Sequence, residues 1–305
     1  MNLSRNVGVS QSVFSSFSTI VGVSSFVWYN ALMQGVLTRK LLEELYIKQR
    51  LSTWAIEKKL GVSRSHVFSL LKRYQIPTRT ISESHIKYRR SDFSGDLPEK
   101  AYLTAFAIGD LRVRSHNGKR STTISIGCGS TKSAQIKLIE QLFSKYGRVW
   151  KGTPGNRKEV NIEAFVNKSF SFLLPSVRRY KWCEKSKIHF LSFLAGFTDA
   201  EGSFFITNGQ ARVAWGNYNQ QILAFIKKGL LRYSIKSSNL RHDGLKGYVG
   251  RDGYARKKNY WHLTVTRKDD VAKFLREIEP FLRHGDKKAA LVPLRANLIM
   301  RGSSV

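Results

Sequence analysis

The sequence predicts an α+β protein made of two copies of one αββαββα unit, preceded by a small all-α domain. Three observations predict it. Ala101-Tyr-Leu-Thr-Ala-Phe-Ala-Ile-Gly-Asp110 and Ser192-Phe-Leu-Ala-Gly-Phe-Thr-Asp-Ala-Glu201 are apolar, helix-like segments ending in an acid, 91 residues apart. Each runs into alternating strand sequence around an Asn-Gly turn, Asn117-Gly118 and Asn208-Gly209, at the same offset of 91. A shared spacing for helix, acid and turn marks an internal duplication. Asn-Gly between alternating residues calls for a type I′ hairpin. The third observation is upstream, where capped helical periodicity runs from Leu37 with no strand pattern.

Composition bounds the partner. The 305 residues carry 52 Lys and Arg against 21 Asp and Glu, a formal charge of +31. With 42% apolar and 12% aromatic residues the chain is a folded protein. A compact chain with this self-repulsion fits a polyanionic partner, and nucleic acid comes first. An acidic membrane surface fits less well, because the charge is spread along the chain and not clustered. Two cysteines, Cys128 and Cys183, form no scaffold and show no paired zinc spacing. The seven histidines are scattered, which argues against a zinc finger or zinc nuclease core. No stretch is apolar enough to span a bilayer. An intracellular location is expected, cytoplasm or nucleoid, or an organelle matrix if residues 1–36 are a transit peptide. That segment is Ser-rich and acid-free with Arg5 as its only charge; a poorly ordered leader, a transit peptide and an early start all remain open readings.

In the upstream domain, Leu41, Leu42, Leu45 and Tyr46 recur at helical spacing. Ser52 can cap a helix over Thr53–Leu60 that buries Ala55, Ile56 and Leu60. Gly61-Val62 turns, and Ser63 caps a third helix with Val67, Leu70, Leu71 and Tyr74 on one face. This is the plan of a helix-turn-helix domain over residues 37–86. The run Leu51-Ser52-Thr53 to Leu60-Gly61-Val62-Ser63-Arg64-Ser65 resembles the helix-turn-helix of resolvases and invertases. The resemblance implies that the third helix enters the major groove, with Arg64, Ser65 and His66 near its start. Residues 87–96 read as a linker, 97–186 as the first repeat and 187–305 as the second. In each repeat the hairpin leads into an amphipathic helix, near 133–146 and 218–234. Strands follow near 159–165 and 259–266, and further helices complete each copy. The second copy adds a basic, Gly-rich insertion over 242–258.

The chemistry sits at the ends of the two repeated helices. Ala195, Gly196 and Ala200 in one, and Ala105 and Gly109 in the other, would let the two approach closely. Gly202 is placed to end its helix in a left-handed conformation. Glu201 and Asp110 then lie on last turns, where the helix dipole disfavours a carboxylate by a few tenths of a kcal/mol. Side-by-side packing about a pseudo-dyad would bring the two acids together, a costly arrangement without a cation. Oxygen ligands and a phosphate substrate favour Mg²⁺, and metal-assisted phosphodiester hydrolysis follows. Asp199 lies about 200° round the helix from Glu201, so a cap or interface hydrogen bond suits it better.

The segment Leu194 to Gly202, LAGFTDAEG, closely resembles the signature of LAGLIDADG homing endonucleases. Leu103 to Leu111, LTAFAIGDL, is a weaker instance, with Ile108 in place of an acid and Leu111 in place of a glycine. The resemblance runs from about Leu97 onward. It implies a monomeric pseudo-dimer whose two antiparallel sheets form a saddle over the major groove, with the motif helices as its central interface. It implies that Asp110 and Glu201 are the metal-binding catalytic carboxylates, with Mg²⁺ as cofactor and double-stranded DNA as the partner that is cut. It also implies a basic residue near each site: Lys287 or Lys288 in the second half, Lys181 in the first. Polar residues that position water are expected near Thr131 and around 217–220.

For contacts to DNA, alternation in the first hairpin sets Arg112, Arg114 and His116 on one face against Leu111 and Val113. Lys119 and Arg120 add charge near the turn. In the second hairpin Ser203, Phe205 and Thr207 alternate against Phe204 and Ile206, and Gln210 and Arg212 follow on the return strand. Arginines two apart on one strand face suit bidentate contacts to guanine or phosphate. The expected function is a site-specific double-strand DNA endonuclease of the homing type. The alternatives are an intron RNA maturase, with host intron RNA as partner, and a non-cleaving DNA-binding transcription regulator. Retention of both acids favours the nuclease over the regulator and leaves maturase activity beside it open.

Overall fold

The computed structural model describes residues 37–84, 86–116, 122–154, 158–242, 247–249, 253, 255 and 257–303. Expectations placed on residues 1–36, on Asn117-Gly118, on Lys119 and Arg120, and on part of the 242–258 insertion lie outside these. The chain divides into two compact units, one ending at His85 and the other running from Ile86 to Val305.

The first unit is helical. Thr38 caps α1 (Arg39–Leu42), which continues as a π-helical turn over Glu43–Lys48, so the first helix is wound more loosely than its periodicity implied. The Ser52 and Ser63 hydroxyls cap α2 (Thr53–Leu60) and α3 (Arg64–Arg73) by accepting from the backbone N–H of Ala55 and His66. Gly61 between them takes a left-handed φ of 68°. Leu41, Leu42, Leu45, Ile56, Val67 and Leu71 form a small core of their own. A single turn, α4 (Ile81–Ser84), follows.

The second unit holds two sheets of matching topology. The first copy contributes α5 (Leu97–Gly109), β1 (Arg112–Ser115), β2 (Thr123–Ser130), α6 (Ser133–Phe143), β3 (Arg148–Lys151) and β4 (Val160–Asn167). The second contributes α7 (Lys187–Glu201), β5 (Gly202–Thr207), β6 (Gln210–Asn217), α8 (Gln220–Arg232), β7 (Arg241–His242), β8 (Trp261–Val265), α9 (Lys268–Ile278) and α10 (Gly285–Met300). The sheets run β1-β2-β4-β3 and β5-β6-β8-β7, every pair antiparallel. The same strand order twice is what duplication of one unit requires. The copies differ at their ends. Where further helices were expected to complete the first copy, the described residues form two 3₁₀ turns, Lys168–Leu173 and Lys181–Lys185.

Both copies share one core, and α5 packs directly on α7 at its centre. These helices are apolar on nearly every face because each is covered by its own sheet and by the other helix. Gly196 faces the backbone of Tyr102 so closely that a Cβ there would collide with the carbonyl oxygen. A Cβ on Gly109 would lie 2.5 Å from that of Ala200, its counterpart being the position occupied by Ala200 itself in the repeat. The expectation for Gly202 is corrected: its φ and ψ are −73° and 145°, an extended conformation. The chain passes straight from α7 into β5 with no reversal, so no left-handed residue is needed. Glycine is required there for space, since a Cβ would sit 2.6 Å from the Thr198 carbonyl oxygen and from its Cγ2. Asn208 and Gly209 at the hairpin turn have φ of 50° and 68°, both positive as a type I′ turn demands.

Residues 87–96, read from sequence as a linker, lie along the first repeat. Ser91 N–H donates to the Tyr146 carbonyl at 3.0 Å and Phe93 N–H to Ser169 Oγ at 2.8 Å. The Phe93 ring inserts among Tyr146, Phe170 and Phe172. An aromatic residue in a polar run, with these hydrogen bonds, fastens the segment.

Candidate active site

The end of each motif helix places its acid. Glu201 is the last residue of α7, and Asp110 caps α5 with its N–H on the Phe106 carbonyl. Because the helices cross at Gly109 and Ala200, the two acids come close together: Glu201 Oε1 is 3.5 Å from where a Cβ on Gly109 would be. Gln135 Nε2, on the first turn of α6, donates to Asp110 Oδ2 at 2.8 Å. Asn217 Nδ2, the last residue of β6, donates to Glu201 Oε1 at 2.8 Å. The two copies thus support their acids from different elements. Asn217 lies in the stretch where polar positioning residues were expected. Gln135 does not, and its place on the apolar face of an amphipathic helix, in line with Leu138, Ile139 and Leu142, was the one sign in the sequence that could have found it.

Burial raises Asp110 to about 6, against the opposing pull of Gln135, Lys287 and Lys132. Burial raises Glu201 to about 7, helped by the negative charge of Asp110 and opposed by Asn217 and Lys287. The site is therefore two desolvated carboxylates that repel one another, each at a helix end that also disfavours its charge.

Of the expected basic residues, Lys287 is the one brought to the acids. It lies on the first turn of α10, half-buried, and Nζ donates to the Gly202 carbonyl. Desolvation and the charge of Lys132 lower its pKa, while Asp199, Asp110 and Asp286 oppose the shift. Lys288 is exposed one residue on, 100° round the helix. Lys181 opens a 3₁₀ turn with its own side chain exposed, and no hydrogen bond or ion pair among the described residues ties it to either acid. Lys132, which precedes α6, is the first-half cation that acts on Asp110. It reaches the site because the start of α6 lies beside Asp110, where Gln135 bonds it, a juxtaposition absent from local sequence.

Asp199 forms the interface hydrogen bond expected of it. Its Oδ2 accepts from Tyr102 Oη across the helix pair at 2.6 Å, and from the N–H groups of Arg283 and His284 at 2.7 and 3.1 Å. It thereby fastens both motif helices to the loop that leads into α10 and Lys287.

On the outer sheet faces, Arg112 and Arg114 are exposed while Leu111 and Val113 are buried, as alternation required. Gln210 and Arg212 are half-exposed on β6. Ser203 and Phe205 face outward and Phe204 packs on Phe274, but Ile206 is exposed as well, at 43%. It stands past the edge of the core, where Asn297 secures the hairpin through polar bonds to Ala211 and Gly209. In the first unit Arg64, Ser65 and His66 are exposed at the start of α3.

Two helices crossing through small residues, each backed by a four-stranded antiparallel sheet and ending in an acid, define an α+β protein built from two like halves. Residues 190–279 match the model of the LAGLIDADG-like domain family. Similar solved structures include the homing endonuclease I-DmoI in complex with DNA and Ca, with 17% identity over 64% of this chain and 97% of that one and a TM-score of 0.46. Mesophilic variants of I-DmoI align over 60% and 95% with 18% identity and a TM-score of 0.43. Full-length DUF199/WhiA from Thermatoga maritima aligns over 70% of this chain and 64% of that one, at 14% identity and a TM-score of 0.44. No curated protein matches the chain.

Proposed function

We propose that the protein is a site-specific, divalent-metal-dependent DNA endonuclease that cuts both strands of one long duplex target. The observation that carries this reading is the pair of half-buried, mutually repelling carboxylates at adjoining helix ends, flanked by Lys287 and Lys132. Each acid spends one oxygen on an amide donor, Gln135 or Asn217. Asp110 Oδ1 and Glu201 Oε2 have no donor among the described residues, which leaves one hard oxygen ligand from each copy. No third His, Cys, Asp or Glu joins them among the described residues. Such a sparse donor set suits Mg²⁺, which keeps several waters and takes one or two carboxylates together with substrate phosphates. Bound there, the ion would polarise the scissile phosphate and lower the pKa of an attacking water. Asp110 and Glu201 hold the ion, and Gln135 and Asn217 fix their orientation. Lys287 and Lys132 offset negative charge on the phosphate. Arg112 and Arg114 on the first sheet, with Gln210 and Arg212 on the second, bind the duplex. Arg64, Ser65 and His66 on α3 add a second, separate contact to DNA.

The test is cleavage of duplex targets selected from a random library with Ca²⁺ in place of Mg²⁺. On restoring Mg²⁺ the protein should cut both strands, while Asp110→Asn and Glu201→Gln should bind as before and cut at least 10³-fold more slowly, in keeping with the loss of an electrostatic group. A variant that cuts at the wild-type rate refutes the site. Tight binding to folded intron RNA without DNA selection would replace the nuclease by a maturase.

A further inference from the structure

The outer face of the first sheet carries an acid where a polyanion would be expected to bind. Arg112 pairs with Gly127 and Arg114 with Ser125 across β1 and β2; Gly127 and Ser125 pair in turn with Glu163 and Phe165 on β4. Glu163 therefore stands on the same face as both arginines, two strands further in. Arg114 Nη2 donates to Glu163 Oε1 at 3.0 Å, and Ser125 Oγ donates to the same oxygen. Arg112 adds its charge from beyond Gly127, whose missing side chain leaves the way clear. The Glu163 side chain is 17% exposed and that of Arg114 is 55% exposed, so the pair has an inner and an outer member.

A carboxylate among arginines works against phosphate binding. It cannot accept from the phosphate oxygens, nor from the N7, O6 or O4 acceptors that make up much of the major-groove edge. It can accept from an exocyclic amine, and the cytosine N4 amine is the natural partner of Glu in the major groove, as guanine is of Arg. We infer that Glu163 is a specificity-determining residue: its carboxylate, held by Ser125 and Arg114, accepts from a cytosine N4 amine in the major groove, and Arg114 is preset toward the guanine side of that region. This rests on the duplex-reading function proposed above. Ser125 and Arg114 hold Oε1, and Oε2 has no partner among the described residues, leaving it to take the base. Trp150, paired with Glu163 on the edge strand β3 and 44% exposed, walls the other side.

The experiment is selection from a randomised duplex library, in Ca²⁺, with the full chain and with Glu163→Gln, Glu163→Ala and Ser125→Ala. The wild-type pool should fix one C·G pair that the Glu163→Gln pool relaxes or changes to A·T, because Gln pairs with adenine. All other positions should stay as they were. Discrimination at the position should fall about tenfold in Glu163→Gln, and partially in Ser125→Ala, where the carboxylate survives but loses one holder. Removing the charge should also tighten binding to unrelated DNA and steepen its salt dependence, by up to about one counterion. Gain in non-specific binding together with loss of one base position is an outcome that misfolding cannot give. A wild-type consensus unchanged in all three variants overturns the assignment of Glu163 alone. Absence of any consensus in the wild-type pool overturns the duplex-reading function, and this assignment with it.

Discussion

The burial of Asp110 and Glu201 beside one another should be measurable as stability, without any DNA. Holding the Asp110 carboxyl near 6 instead of 3.8 corresponds to about 3 kcal/mol against its charged form. Glu201 near 7 instead of 4.5 corresponds to about as much again. The two overlap, because the charge of Asp110 is part of what raises Glu201, and both groups keep some access to water. The pair together should therefore cost about 2–4 kcal/mol when fully ionised. The direction follows from proton counts. Below about pH 4 both acids are protonated in the folded and the unfolded chain, and the cost vanishes. Between about 4 and 7 the unfolded chain gives up these protons first, so the folded state loses stability as pH rises. Above about 7 the loss is complete. Asp110→Asn/Glu201→Gln should remove it, raising the melting temperature of the larger unit by roughly 5–10 °C at pH 8 and by almost nothing at pH 4. Calorimetry in EDTA at both pH values measures this, and comparing variant with wild type cancels the general effect of acid on a highly basic chain. Added Mg²⁺ should recover part of the difference for the wild type at pH 8 and none for the variant. Equal melting of the two proteins at pH 8, or a gain of the same size at pH 4, would refute the picture of two desolvated acids facing each other.

Other outcomes test the surrounding structure. Gly196→Ala should destabilise the larger unit by about 1–3 kcal/mol in urea unfolding, since a methyl there meets the Tyr102 backbone and not a yielding side chain. Lys132→Met should slow cutting of a selected target at least tenfold while Lys181→Met leaves single-turnover rates near wild type; the reverse order would return the first-half lysine to position 181. Asp199→Ala should cost about 2–4 kcal/mol, because it strands the Tyr102 hydroxyl and two backbone N–H groups in a buried junction, and Asp199→Asn should cost clearly less.

Much of this protein is determined by local sequence. The Ser52 and Ser63 caps, the Asn208-Gly209 turn and the alternation of Arg112, Val113 and Arg114 each depend on neighbours a few residues away, and periodicity reports such neighbours faithfully. The 91-residue repeat adds one long-range fact, that two helices ending in Asp110 and Glu201 are equivalent, and equivalence under a pseudo-dyad brings their ends together. What repetition cannot supply is asymmetry. Lys132 and not Lys181 faces Asp110, Gln135 and Asn217 hold the two acids from a helix and a strand respectively, and Glu163 joins the arginines from two strands away. Each of these depends on side chains meeting across elements far apart in the chain, where no spacing rule acts. Gly202 shows the same division: the sequence determined that only glycine fits at the end of α7, and the tertiary structure decided why, by running the helix straight into a strand against Thr198 where a turn would have called for positive φ.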